Sequence, residues 1–204
     1  MGKGQTSATS TRRIGAEDSK TQARLLDAAQ QLMLEAGYPA VTSRRVAAKA
    51  GLKPQLVHYY FRTMDDLFLA LFRRGAEENL EKQARALQSA RPLHALWSFS
   101  TDRIGTSLTL EFIALANHRD AIRNEIAAYA ERFRRLQAEA LSDALKTMRI
   151  DGEELPAVAL LVLMSSISPV LVMEDALGVT TGHAEALSVV QRLLDRHEGT
   201  ASSD

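Results

Sequence analysis

The sequence predicts an all-α protein, with a small helical head followed by a larger helical body. Glycine and proline are scarce, 11 and 5 among 204 residues, and aromatic residues make up 5%. That composition speaks against the turn-rich strands of a β-sandwich. Apolar residues recur at three- and four-residue steps along most of the chain. No stretch of useful length alternates apolar and polar residues, and no internal repeat is found.

The elements follow in order. Residues 1–18 are rich in Gly, Ser and Thr and nearly devoid of apolar side chains. Burial cannot offset the ordering entropy of such a segment, so it is expected as a disordered tail. It has no apolar stretch of the signal-peptide kind. Ser19, with Gln22 three residues on, predicts the start of a helix. Leu25, Ala29, Leu32 and Ala36 then share one face. Gly37 ends the helix and Pro39 prevents its continuation. Thr42 caps a short second helix from Ser43 to Ala50, with Val46, Ala47 and Ala50 inward. Gly51 supplies a turn, and Pro54 opens a short third helix reaching about Tyr60. Thr63, with Asp66, starts a longer fourth helix carrying Leu67, Leu71, Ala76 and Leu80.

Beyond Arg91-Pro92 the helical period continues. Ile122, Ile126, Tyr129, Phe133, Leu136 and Ala140 form an expected apolar stripe on one long helix. Asp151-Gly152 breaks the chain. Leu155–Met173 carries no charge and continues to about Leu177, where Gly178 stops it. It contains Ser165, Ser166, Ser168 and Pro169 and has no basic flank, so a buried helix is expected rather than a membrane span. Thr181 caps a last helix with Leu187, Val190 and Leu194 on one face. Residues 199–204 are a polar tail. The expected domains are therefore 19–66 and 67–198, between the two tails.

Charge divides in the same way. The chain is neutral overall, with 25 basic and 25 acidic residues. Residues 1–62, however, hold ten Lys or Arg against four Asp or Glu, and the remainder fifteen against twenty-one. A basic head on an acidic body points to a polyanionic partner for the head.

Catalytic signals are poor. There is no cysteine, which excludes disulfides, thiolate metal sites and cysteine nucleophiles. The histidines, His58, His94, His118, His183 and His197, lack metal-ligand spacing. There is no phosphate-binding glycine loop and no nucleophile elbow. An enzyme is not expected, nor a cofactor or metal.

Val41–Phe61 is the informative segment. Two short helices flank a glycine turn, with small Ala47 opposite it. This is helix-turn-helix geometry, whose second helix enters the DNA major groove. Such a helix needs donors and planar polar edges. Lys53, Gln55, His58, Tyr59, Tyr60 and Arg62 offer them. A basic surface hairpin with no DNA role fits the same pattern.

Residues 20–67 also resemble the DNA-binding domain of the TetR family of transcriptional regulators. The matching runs are Arg24-Leu25-Leu26-Asp27-Ala28-Ala29, Glu35-Ala36-Gly37-Tyr38, Val41 through Gly51, Val57-His58-Tyr59-Tyr60-Phe61 and Asp65-Asp66-Leu67. The resemblance implies that Pro54–Tyr60 is the recognition helix, with Gln55, His58 and Tyr59 reading bases. It implies phosphate contacts from Thr42, Ser43 and Arg44, a backbone contact from Tyr60, and further ones from Lys53, Arg62 and Thr63. Phe61 belongs mostly to the core. Two positions depart from the family pattern: Lys53 replaces a frequent capping Ser or Thr, and Met64 a frequent Lys.

The resemblance further implies a helical-bundle ligand-binding and dimerisation domain after the head. Helices 155–177 and 182–198 are more apolar than one small domain needs, which suits a homodimer seam. Two heads about 34–36 Å apart would then read a palindromic operator. Candidate effector contacts are His94, Trp97, Phe99 and Arg103, with Phe112, Asn117, Tyr129 and Phe133. His118 and Arg119 are expected to be solvated. The implied protein is a cytoplasmic, ligand-responsive repressor bound to double-stranded DNA and released by a small molecule. The competing readings are an interaction module of the same fold without operator binding, and a helical protein anchored in a membrane by 155–173.

Overall fold

The structure is a computed structural model that describes residues 6–147 and 156–198, with side chains from Asp18 onward. The described residues form α1 (Thr6–Ala36), α2 (Ser43–Ala50), α3 (Pro54–Tyr60), α4 (Met64–Leu87) and α5 (Pro92–Ser100). They continue with α6 (Arg103–Ala116), α7 (Asp120–Thr147), α8 (Ala157–Ala176) and α9 (His183–Glu198). A single 3-10 turn spans Tyr38–Ala40, and no strand occurs among the described residues. The chain divides into two compact units after Arg73, a point that lies inside α4.

In the first unit, the core comes from the face that periodicity predicts. Leu25, Ala29 and Met33 of α1 are fully buried, as are Val46 and Ala47 of α2. Val57, Phe61, Leu67 and Leu71 are almost as enclosed. Ala36, expected on this face, is exposed at the last turn. The start of α1 also differs from expectation. The helix begins at Thr6 rather than Ser19, so residues 6–18 are helical and not a loose tail. The segment has no proline, and Arg12, Arg13, Ala16 and Glu17 are good helix formers that let the helix extend upstream. Residues 1–5 lie outside the described residues, as do the 199–204 tail and the break at Asp151-Gly152.

Helix boundaries in the head have local causes. Thr42 Oγ1 accepts from the Arg45 amide at 3.4 Å, capping α2. Gly51 takes φ +65°, a left-handed conformation that ends α2 at little cost only in glycine. α4 opens with a reciprocal pair: the Asp66 amide donates to Thr63 Oγ1 at 3.1 Å, and the Thr63 amide to Asp66 Oδ2 at 2.9 Å.

In the second unit, Leu93, Leu96 and Trp97 of α5 pack with Leu141 and Leu145 of α7, Leu161 and Met164 of α8 and Leu194 of α9. The long α7 shows how a simple stripe misleads. Ile122 is buried and Ile126, Tyr129 and Phe133 are half-buried, but Leu136 and Ala140 are exposed. Burial resumes at Leu141 and Leu145. At about 100° per residue, the buried face walks roughly a third of a turn around the helix. A helix of 28 residues is long enough to meet different neighbours at its two ends. α6 is capped by Asp102, which accepts from the Ile104 and Gly105 amides at 3.3 Å.

α8 corrects another expectation. It is apolar all round, yet its buried residues are only Leu161, Met164 and Ser168. Val158, Val162, Val170, Met173 and Leu177 are 42–79% exposed. With Ser166, they step by threes and fours along one face. The chain's own core therefore covers one side of α8 and leaves the other bare. α9 starts at His183 rather than being capped by Thr181, with Gly182 at φ +86° just before it. His183 Nε2 lies 2.7 Å from Glu174, tying the start of α9 to the end of α8.

Candidate nucleic-acid interface

The head is built so that a very short helix holds a fixed place. α3 has seven residues, far too few to be stable alone. Val57 anchors it at 1% exposure, while Pro54, Gln55, His58 and Tyr59 face outward. Tyr59 is 71% exposed, which leaves its ring open to a partner. Lys53 precedes the helix with no side-chain capping bond, and Pro54 at the first position removes one amide that would need a partner.

α2 is fixed at both ends. Thr42 caps the start, and its hydroxyl accepts the Arg45 amide while keeping a proton to donate. Arg44 is exposed and Ser43 half-buried beside it. At the other end, Arg24 of α1 donates to the Ala50 carbonyl at 2.6 Å. A cation there also complements the negative end of the α2 dipole. Lys49 pairs with Glu35 of α1 at 2.7 Å. Thr63 is exposed but engaged in capping α4, and Arg62 is exposed. This arrangement offers hydroxyl, guanidinium and amide donors around an outward helix, which is how a major-groove reader holds a phosphate backbone.

Tyr60 has a role that sequence reasoning missed. Its hydroxyl donates to Asp18 Oδ1 at 2.8 Å. That hydrogen bond to a carboxylate, with partial burial, holds the phenol above the usual tyrosine range. Its ring meets Tyr59 edge-on at 4.9 Å. Arg24 lies in the matching run, but its contact with Ala50 and that of Asp18 with Tyr60 are not read from the sequence. Nothing in a linear pattern tells that positions 42 and 26 residues away are their partners.

The second set of candidates is dispersed over three helices and their ends. Trp97 belongs to the apolar cluster of the second unit and is 8% exposed. Phe112 is buried and Phe99 half-buried. Tyr129 and Phe133 stack at 5.4 Å, and the Tyr129 hydroxyl donates to the Ala76 carbonyl at 2.8 Å. Burial pushes the Tyr129 phenol up to about 12. Arg103 is exposed and paired with Asp175, and Asn117 is exposed at the end of α6. His118 and Arg119 are exposed as expected. His94 sits in an ionic cluster: Nδ1 is 2.6 Å from Glu198 and Nε2 is 3.0 Å from Asp195. The structure thus brings Tyr129 and Phe133 together, and gives His94 and Arg103 structural partners of their own. Among the described residues, no group of three or more His, Cys, Asp or Glu could hold a metal ion.

Residues 25–71 match the family of bacterial regulatory proteins known as the tetR family. Over these residues the chain is similar to the DNA-binding region of that family. The match covers most of the head, from the core of α1 into α4. Two relatives extend the similarity beyond the head. The chain is 26% identical over 141 residues to the HTH-type transcriptional repressor BepR of Brucella suis biovar 1 (strain 1330), covering 64% of this chain and 66% of the relative. It is 28% identical over 131 residues to the HTH-type transcriptional regulator BetI of Rhizobium meliloti (strain 1021), covering 60% and 64%. In both cases it spans just under two thirds of the relative's length. The fold also resembles that of a transcriptional regulator from Saccharomonospora viridis in complex with choline. That likeness has a TM-score of 0.68 at 19% identity and covers 87% of this chain and 95% of that one. The matched family is one of bacterial regulatory proteins.

Proposed function

We propose that this chain is a TetR-family transcriptional repressor that binds a palindromic operator as a homodimer and is released by a small molecule. The observation that carries this reading is α3: a helix anchored by buried Val57 that turns Gln55, His58 and Tyr59 outward. Gln pairs bidentately with adenine, and a tyrosine edge packs on the thymine methyl. Repression follows the sense of the BepR relative's name. The bare apolar stripe of α8, with exposed Leu187, Val189 and Leu193 of α9, supports a two-helix seam between copies. α8 is also long and apolar enough to cross a membrane by length and composition. The cytoplasmic dimer is favoured because Ser165, Ser166 and Ser168 break the apolar run of the helix and both flanks are acidic. Full solubility as a dimer without detergent separates the two.

The effector would lie among the aromatic residues of the second unit, of which Tyr129 and Phe133 form a ready stacked pair. A ligand that favours the DNA-incompatible state must itself be weakened by DNA, typically by about 5–150-fold. The choline complex of the structural neighbour makes quaternary amines the first compounds to screen, because aromatic faces attract such cations.

The test is selection of the bound sequence from a random DNA pool, followed by titrations on the selected site. Gln55→Ala is expected to lose roughly 1–3 kcal/mol on that site and relax preference at one position per half-site. Binding of all sequences as the parent binds them would remove Gln55 from the readers. Arg44→Ala is expected to weaken binding about equally on all sequences, and to reduce the slope of log K against log salt by about 1. An unchanged slope with lost preference would move Arg44 from phosphate to base contact.

A further inference from the structure

We propose that Asp18 of α1 is a positioning residue for sequence recognition, acting through the Tyr60 hydroxyl that the family pattern would otherwise leave for a DNA phosphate. The inference rests on α3 being the recognition helix. Tyr60 is the last residue of that helix, and its hydroxyl donates to Asp18 Oδ1 across 42 residues of sequence. Thr21 makes the second side-chain hydrogen bond to the same oxygen. Asp18 and Thr21 are three apart on one helix, so both face the phenol from one side.

The hydrogen-bond inventory decides what Tyr60 can do. A tyrosine hydroxyl carries one proton, and an ionised carboxylate only accepts. The proton is committed to Asp18, so none is left for a phosphate oxygen, which also only accepts. The negative charge of Asp18 further disfavours a phosphate at the same spot. The geometry therefore makes Tyr60 a tie between α1 and the end of α3.

The tie has a consequence one residue away. The exposed ring of Tyr59 rests edge-on against Tyr60 with centroids 4.9 Å apart. Edge-to-face contact of this kind fixes ring orientation. Asp18 thus sets Tyr60, Tyr60 sets Tyr59, and Tyr59 meets the bases. Without the tie, the end of a seven-residue helix is free to fray, and the orientation of Tyr59 goes with it.

The experiment compares the full-length parent with Tyr60→Phe, Asp18→Ala, Asp18→Asn and the Tyr60→Phe/Asp18→Ala double variant. Each is titrated against the selected operator and against random DNA at one salt concentration. Tyr60→Phe keeps both rings in place and removes only the hydroxyl. Tyr60→Phe and Asp18→Ala are each expected to reduce the operator-to-random ratio by roughly 3–10-fold, the scale of one hydrogen bond. The double variant is expected to lose no more than either alone, since both remove one tie. Asp18→Asn keeps an acceptor and is expected to restore most of the ratio, while binding random DNA more tightly than the parent. In DNA-free protein, hydrogen exchange at the Phe61 amide, which donates to Val57, is expected to accelerate in Tyr60→Phe and Asp18→Ala. Equal losses on operator and random DNA for Tyr60→Phe, with Asp18→Ala additive, would make Tyr60 a phosphate contact and overturn the proposal. Unchanged ratios in both single variants would overturn it as well. A parent chain that binds no DNA would instead defeat the operator reading itself, while the exchange measurement would still report on the tie.

Discussion

Leu163→Glu is expected to convert the proposed dimer to monomers and to abolish the tight operator binding proposed for it. Leu163 is on α8 and is 62% exposed, beside the stripe formed by Val158, Val162, Val170 and Met173. A carboxylate placed there loses nothing inside the chain, because the side chain meets little of its own protein. In the seam it would have to be desolvated against apolar neighbours, and two-fold symmetry introduces the charge twice. Central apolar contacts in interfaces cost roughly 2–4 kcal/mol when lost. Two of them weaken association on the order of 10³-fold or more. The two heads would then no longer engage one operator together, and affinity on a palindromic site should fall at least about 10²-fold. Sedimentation and operator titration measure the two effects. Leu136→Glu is the control. Leu136 is half exposed on α7 and is not one of the α8 stripe residues, and that change should move either quantity much less. A Leu163→Glu variant that stays dimeric would move the seam off α8.

The head was legible from sequence because its signals are local. Thr42, Gly51, Pro54 and Thr63 each act within a few residues of themselves, and each bounds a helix as predicted. Buried Val46 and Ala47 followed from helical spacing, and Phe61 from the family resemblance. What escaped notice acts over distance. Arg24 on the Ala50 carbonyl and Asp18 on Tyr60 have no sequence signature, because either residue on an exposed helix face looks like ordinary solvated charge. In the second unit, the stripe on α7 ran through Leu136 and Ala140 on paper and through Leu141 and Leu145 in the fold. Periodicity assumes one neighbour along the whole helix, and α7 has several. Asp102 could have been found, since an Asp followed by Gly105 on a new helical period is a capping signal. The bareness of α8 could not. Uniform apolarity says that a helix wants cover, without saying whether the cover is its own chain.

Glu198→Ala is expected to destabilise the second unit by about 2–3 kcal/mol, although Glu198 is the last residue of a terminal helix. Its side chain is 2% exposed. It accepts from the Leu93 amide at 2.6 Å and the His94 amide at 3.0 Å, and it contacts His94 Nδ1 at 2.6 Å. α5 has no capping side chain of its own, since Arg91 precedes it and makes no such bond. α9 therefore supplies the N-cap of α5 from 104–105 residues away. Removing the carboxylate leaves two partly buried amides without an acceptor and strips His94 Nδ1 of its partner, costs of desolvation rather than of a simple lost contact. The thermal midpoint should fall by about 4–12 °C. Glu198→Gln keeps an oxygen at the amides and should lose about half as much. An Ala variant as stable as the parent would show that α5 is capped by other means. The same cluster should respond to acid. Asp195 is held below the usual carboxylate range: burial works against its ionisation, but hydrogen bonds from Gln191, His94 and Arg91 outweigh that. A carboxylate lowered in the folded state adds stability above its unfolded value near 4, and that stability is lost as pH falls through the folded value. Asp195→Asn should therefore flatten the loss of stability below about pH 4 while lowering stability at neutral pH. Urea unfolding across that range measures both, and parallel curves for parent and variant would take Asp195 out of the acid response.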